Sequence, residues 1–403
     1  MAKMHITKAQ KTVLQLVGHS LFAAPLDIEN DVDWNAVVRE STVQAVALLA
    51  FNDYNKLPID KALVEPLRTY LRKCTISNVA CFNAHKYLHE LMTANGIPYC
   101  ILKGVASARC YPDALLRSMG DVDFYVPSEY VDKAREVCVF DGLEIVEADH
   151  SFHLGMKKGK MSFELHFAPI GVPNDEMRPI FLEYWSDICE KSYPFSDELT
   201  ECVVSSDFHH GFILLTHLRT HLVTSGVGLR HVCDWAVFVN SFTNEEFVAL
   251  FEQKLKRVGL WKLAQALSLA AVDHLGMTHK TWMGDDHDMA DALMEDVLLG
   301  GNFARRDSNR GFERVFMPSS NDPNVNRSRI VNVFGTLNKS VRKHWPVASR
   351  IPLLYPFGWV YVSLRFLILL ALGKRDVNVV NGFKRSGQRM KLYEDLCLFE
   401  PEE

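Results

Sequence analysis

A chain of 403 residues with 48% hydrophobic and 23% charged side chains can build packed cores, which excludes wholesale disorder and fibrous repeats. The length predicts two or three packed units, and a net charge of -5 carries no global attraction to nucleic acid. Nine cysteines, odd in number and without a Cys-x-x-Cys pair, argue for reduced thiols in a cytoplasmic setting and against a disulfide framework or a structural zinc.

The first twenty residues carry charges and histidines at helical spacing, not the apolar run of a signal peptide. From Lys8 to about Asn95 apolar positions recur every three or four residues, as in VVRESTVQAVALLAFNDYNKL, which predicts a helical N-terminal region closed by Gly96. The period then changes. IPYCILKG reads as a short strand ending at Gly104, and VASARCYPD as one or two helical turns stopped by Pro112. Gly120 leads into a strand from Asp121 to Val126, and Pro127-Ser128 opens a helix that Gly142 ends. LEIVEA follows, and then SFHLGMK and MSFELHFAPI, two alternating segments joined through Lys157-Lys158-Gly159-Lys160 as a hairpin. After Gly171 the pattern is helical to about residue 300.

The fold class expected is α+β, a small mixed β-sheet embedded in a mostly α-helical chain. Its divisions are a helical region 1–96, the sheet core 97–170, a helical domain 171–301, and a basic connection with C-terminal helices 302–403. Between Asn302 and Trp345 nine basic residues (Arg305, Arg306, Arg310, Arg314, Arg327, Arg329, Lys339, Arg342, Lys343) face three acids (Asp307, Glu313, Asp322), either an anion-binding arm or a solvated face. Further on, LLYPFGWVYVSLRFLILLALG holds one charge, Arg365. Pro356 and Gly358 leave the segment 359–373 as helix, which at about 1.5 Å per residue falls short of a ~30 Å hydrocarbon core. It reads as a core or inter-domain helix, with interfacial membrane contact through 359–373 as the alternative.

The stretch RSMGDVDFYVP places two carboxylates inside an apolar strand, where like charges repel and are costly to desolvate. Alternate strand residues share a face, so Asp121 and Asp123 point together, their β-carbons about 6 to 7 Å apart, and can converge on Mg²⁺. The same alternation in SFELHF puts Glu164 and His166 on one face, and Glu164 completes a carboxylate triad for two metals if the two strands are neighbours. Lys103-Gly104, at a strand-to-helix turn, outlines a phosphate cradle. Arg117, four residues before Asp121, contacts phosphate or pairs with a carboxylate.

In this order (strand, Lys103-Gly104, short helix, Arg117, Gly120-Asp121-Val122-Asp123, helix, hairpin with Glu164-Leu165-His166) the sequence resembles the polymerase-beta-like nucleotidyltransferase superfamily. Within it the chain is most similar to the bacterial "uncharacterised nucleotidyltransferase" family, and more distantly to the minimal and abortive-infection nucleotidyltransferases. The resemblance implies a nucleotidyltransferase core in which Asp121 and Asp123 bind metal, Glu164 is the third carboxylate and helper of the attacking hydroxyl, and Gly104 marks the nucleotide-phosphate turn. The chain departs from the pattern in two places. Val105 stands where the superfamily usually has serine or glycine, and 17 residues separate Gly104 from Asp121, a longer interval than usual.

The expected activity is transfer of NMP from an NTP to a hydroxyl of a small molecule, tRNA or protein. It would use two Mg²⁺ (or Mn²⁺) on Asp121, Asp123 and Glu164, with Lys103, Gly104, Arg117 and His166 at the nucleotide. A catalytically inactive nucleotide-binding or partner-docking module of the same fold is the alternative, and a toxin-like tRNA nucleotidyltransferase using the basic arm is another. His217 and His221, spaced i, i+4, lack a third zinc ligand in sequence and read as helix-surface residues. Arg230 and Asp234 read as an i, i+4 salt pair, or with His231 as the wall of a cleft. No Ser-His-Asp order, Walker loop or Gly-x-Gly-x-x-Gly in a suitable context supports hydrolase, P-loop or dinucleotide-binding chemistry.

Overall fold

In the computed structural model, the residues described are 6–147, 152–174, 176–302, 329–345, 347, 351–372, 379–398 and 400–402. The basic segment 303–328 lies outside them, and with it five of the nine basic residues read as an anion-binding arm. Thr7 opens α1 (Lys8–Phe22) by a reciprocal cap with Gln10, and Asp33 caps α2 (Trp34–Val43). The short α3 (Ala47–Ala50) precedes α4 (Lys61–Ala94), 34 residues capped by Asp60. This long helix joins two cores. Leu67 and Leu71 pack into the helical core, whereas Cys81, Phe82, Leu88 and Met92, at helical spacing, pack under the sheet.

The sheet begins with β1 (Cys100–Ile101), followed by the one-turn α5 (Val105–Ala108), β2 (Val122–Tyr125), α6 (Val131–Phe140), β3 (Glu144–Glu147), β4 (His153–Lys158) and β5 (Met161–His166). After α7 (Arg178–Trp185) come β6 (Tyr193–Ser196) and β7 (Glu201–Val204). The strand order is β3-β4-β5-β2-β1-β7-β6, parallel at β2/β5 and β1/β7 and antiparallel elsewhere. The hairpin β6–β7 corrects the sequence reading, which ended the sheet at residue 170 and continued in helix. Its strands have four residues each, too few to establish a period, and the Pro194 that weakens the strand signal sits on the edge strand, where a missing donor costs no ladder bond. Asp197 forms the turn by accepting from the amides of Leu199 and Thr200 at 2.8 and 2.9 Å.

Five helices complete the second core: α8 (Asp207–Val223), α9 (Leu229–Asn240), α10 (Asn244–Lys256), α11 (Trp261–Leu275) and α12 (His287–Gly300). Beyond them lie α13 (Arg329–His344), α14 (Tyr355–Ala371) and α15 (Val379–Asp395), the last tied back by the Tyr393 hydroxyl, 2.6 Å from the Leu222 carbonyl. The apolar α14 is not a core helix, as its composition suggested. It pairs with α13 around Val341 and Val362 in a small cluster of its own and leaves a row of large side chains exposed. No described helix is long and apolar enough to cross a membrane. All nine cysteines are free thiols.

One buried amide positions the segment that leads into β2. Asn78 on α4 donates to the carbonyls of Leu115 and Arg117 at 2.7 and 2.8 Å and accepts from the Met119 amide at 3.0 Å. Asn78→Ala strands three backbone groups next to the strand that carries the acids. We expect a loss of about 2–4 kcal/mol of unfolding free energy in urea titrations; a change below about 0.5 kcal/mol would show that this lead-in is not held by Asn78.

Candidate active site

Strand alternation divides β2 and β5 between two environments. Val122, Phe124, Phe163 and Leu165 are fully buried under the sheet with α4 and α6, and Asp123, Glu164 and His166 occupy the intervening positions. The parallel β2/β5 register sets Asp123 directly beside Glu164. His166 Nε2 lies 3.1 Å from Asp123 Oδ1 and 3.5 Å from Glu164 Oε2, and the Phe152 ring stacks on the imidazole with centroids 6.2 Å apart. Among the described residues these three form the one group whose potential ligand atoms all lie within 4.8 Å of one another. Asp121, one residue before β2, lines the same cleft without joining that group. His166 thus stands inside the cluster where the sequence placed Asp121.

Lys103 follows β1, the other neighbour of β2, and its Nζ lies 2.8 Å from Asp123 Oδ1. Gly104 has φ +64° and ψ −114°, open only to glycine, and a β-carbon there would stand 2.6 Å from His85 Nε2. Lys103 and Gly104, the N-cap of the helix that follows, both line the cleft; that helix is four residues long and its side chains are buried.

The opposite wall comes from α8 and α9. Arg117, read from sequence as a phosphate contact or a carboxylate partner, is 5% exposed and forks onto Asp234, Nε to Oδ1 and Nη2 to Oδ2 both at 2.7 Å, while the Tyr111 hydroxyl donates to the same Oδ1 at 2.7 Å. Arg117 thus takes the carboxylate alternative, and one expectation is corrected: Arg230, displaced from the expected pair with Asp234, donates instead to the Ser118 carbonyl at 3.1 Å. Arg230 lines the cleft with a buried Nε that has no hydrogen-bond partner among the described residues. His217 and His221 also turn inward instead of lying on the surface. The third ring near them, His231, comes from α9, with centroids 5.6 and 5.8 Å away, a proximity that sequence spacing could not show.

The hydrogen-bond roles follow from Lys103, which can only donate. Its Nζ is 3.1 Å from His217 Nε2, whose single lone pair accepts; His221 Nε2 lies 2.9 Å from the same nitrogen, and His221 Nδ1 lies 2.7 Å from the Ser225 hydroxyl. The chain runs from Ser225 through two neutral imidazoles to Lys103 and Asp123.

Charge is distributed unevenly across this cleft of about 530 Å³. Burial pushes the Asp123 carboxyl up, but Lys103 and the His166 hydrogen bond outweigh it and hold the group well below the usual range. The Asp123 charge, and then burial, raises Asp121. Burial lowers both Lys103 and His166, yet the acids win and both lie above their ordinary values: Asp123 and Asp121 act on Lys103, and hydrogen bonds to Asp123 and Glu164 act on His166. On the helical wall burial wins. His217 and His231 lie well below the ordinary imidazole value, and His221 falls to about 3. Behind the cleft, burial takes His85 and His210 to about 4 and about 3.

A family model described as "Uncharacterised nucleotidyltransferase" matches residues 30–276, more than half of the chain, and its span includes every cleft residue named above. A comparison with curated proteins returns no match.

Two outcomes follow from this electrostatic arrangement. Arg117→Ala leaves the Asp234 charge buried without its partner and is expected to cost about 3–5 kcal/mol of stability, whereas Arg117→Ala with Asp234→Ala should recover part of that loss in a double-mutant cycle. Purely additive losses would contradict a coupled pair. Histidines whose folded pKa lies below 6.5 bind protons more readily once unfolded, so their stabilising contribution is full above pH 6.5 and is lost as pH falls toward about 4. Each of His85, His210 and His221 should steepen the loss by up to about 1.4 kcal/mol per pH unit, read as a falling urea midpoint from pH 7 to 5; a flat midpoint would mean that these rings are not buried in the neutral form.

Proposed function

The chain belongs to the uncharacterised nucleotidyltransferase family, and on that premise we propose that it transfers a nucleoside monophosphate from an NTP to a hydroxyl of an acceptor. The observation that carries the reading is the in-register Asp123–Glu164 pair on adjacent parallel strands, open to a cleft that also receives Asp121, Lys103 and Arg230. The donor set suits a hard divalent cation: carboxylate oxygens from two strands with an imidazole within 4.8 Å, in a patch where carboxylates outnumber their cationic partners. Asp123 and Glu164, with Asp121 beside them, would hold Mg²⁺ or Mn²⁺, which supplies charge neutralisation at the reacting phosphate and acidifies the acceptor hydroxyl.

The chain's own residues account for the rest. The acceptor oxygen bonds to the α-phosphorus, the bond from the α-phosphorus to the bridging oxygen breaks, and pyrophosphate leaves with that electron pair. Glu164, whose side chain is 32% exposed, is the accessible carboxylate and takes the hydroxyl proton. Lys103 and Arg230 meet the phosphate charge from either side of the cleft. His166, held by both acids and by Phe152, keeps the Asp123 carboxylate oriented.

A second reading, a nucleotide-binding module without catalysis, draws on the turn at Gly104, where Val105 opens a buried helix of only four residues. Incubation with α-labelled NTPs and Mg²⁺ across small acceptors, tRNA and protein separates the two. Transfer abolished by EDTA, and reduced at least a hundredfold (about 2.7 kcal/mol of activation free energy) in Asp123→Asn and in Glu164→Gln, is the expected result. Mg²⁺-dependent nucleotide binding without transfer would favour the second reading, and absence of binding would overturn both.

A further inference from the structure

The pair α13–α14 carries a surface that the cleft does not use. Along α14 and the turn before it, Leu353, Phe357, Val360, Tyr361, Leu364, Ile368 and Leu372 recur at intervals of three and four and therefore share one side. That side is bare, with Leu353 84%, Phe357 65% and Leu372 62% exposed. The other side makes the contact with α13: Val362 and Val341 are buried together, a β-carbon on Gly358 would come within 2.8 Å of Val341, and Trp359 Nε1 donates to Asn338 Oδ1 at 2.7 Å. Apart from Tyr361, whose ring meets Trp345 just past α13 with centroids 5.5 Å apart, the row points away from its partner helix, and a continuous exposed apolar face calls for an occupant.

Charge identifies that occupant. From Pro323 to Arg375 the sequence has no aspartate or glutamate and nine basic residues, among them the exposed Lys339, Arg342 and Lys343 on α13. Two copies joined through this face would bring two acid-free basic stretches together, which is unfavourable at low ionic strength. An anionic lipid surface meets both requirements, because acyl chains receive the apolar row and headgroups receive the basic side chains. Tyr355, Trp359 and Tyr361 add the amphipathic aromatics common at that depth. At 17 residues α14 reaches roughly 25 Å, suited to lying in an interface and too short to cross one.

We propose that the α13–α14 hairpin docks the protein onto an anionic membrane surface, with the Leu353–Leu372 row immersed and the α13 basic residues on the headgroups. The test is flotation of the full chain with phosphatidylcholine vesicles and with the same vesicles containing phosphatidylglycerol. Binding to the anionic vesicles alone, weakened by NaCl, is expected. Lys339→Gln with Lys343→Gln should weaken it roughly 25-fold, about fivefold for each charge, and Phe357→Ser with Leu364→Ser and Ile368→Ser should abolish it while circular dichroism stays unchanged, since all three side chains are exposed. No flotation with either vesicle would overturn the proposal. So would a row variant that binds like wild type, or light scattering that shows a row-dependent dimer without vesicles, which would give the face to a second copy.

Discussion

An aspartate that is 2% exposed stays ionised only if its neighbours supply the charge that water would have screened, and the cleft is arranged around meeting that demand at Asp123. The partners come from both adjacent strands: Lys103 just past β1 on one side, His166 at the end of β5 on the other. Lys103 is in turn held by His217, so one carboxylate links the sheet to α8 through a single ammonium group. Register enforces the arrangement. A slip of one residue in β5 would turn Glu164 and His166 into the core and Phe163 and Leu165 into the cleft, exchanging two apolar side chains for two polar ones at a cost far above the usual margin of stability.

A second ion pair fixes the distance between the walls. Arg117 precedes β2 and Asp234 sits in α9, and their two-pronged contact, both members buried, ties the strand lead-in to the helical domain. Buried pairs of this kind add little net stability, because desolvation consumes most of the Coulombic gain. What they supply is geometry: alternatives that separate the charges are strongly disfavoured. With Asn78 gripping Leu115, Arg117 and Met119, the segment entering Asp121 is restrained from two sides. Gly104 contributes a third restraint, since its backbone conformation and the His85 ring against it exclude any side chain at the Lys103 turn.

The parts of the site legible in sequence were those governed by a local period. Two-residue alternation put Asp123 on one side of β2 and Glu164 with His166 on one side of β5, and glycine and proline punctuation bounded the helix between the strands. The span matched by the family model, residues 30–276, includes the same stretch. Partnerships that cross between domains were not legible. Nothing local distinguishes Arg230 from Arg117 as the partner of Asp234: the i, i+4 spacing favours Arg230, but the fold brings Arg117 within 2.7 Å of both carboxylate oxygens and leaves Arg230 to a backbone carbonyl. The histidines illustrate the same limit, since His231 approaches His217 and His221 only because α9 packs beside α8. The hairpin β6–β7 was missed for a different reason: four-residue strands, one containing proline, fall below the length at which alternation can be told from chance.

The resulting cleft is bipolar, and this bears on what it can take up. Its sheet side gathers three carboxylates against Lys103 and His166, and its helical side presents Arg230 with imidazoles that burial keeps neutral. A phosphate chain alone would meet repulsion from the acids, and a dication alone would compete with Lys103 for Asp123 Oδ1. On the proposed reading, a metal–nucleotide complex would remove both conflicts: Asp123 and Glu164 would hold the dication, and Lys103 would be left for the phosphates. Neutral imidazoles are suited to such exchange, because His217 can keep its hydrogen bond to Lys103 without adding a positive charge that would hold the ammonium against the carboxylate. In this structure Lys103 is the counter-ion of Asp123 and is held by His217, at a lysine-glycine turn followed by a helix of four residues.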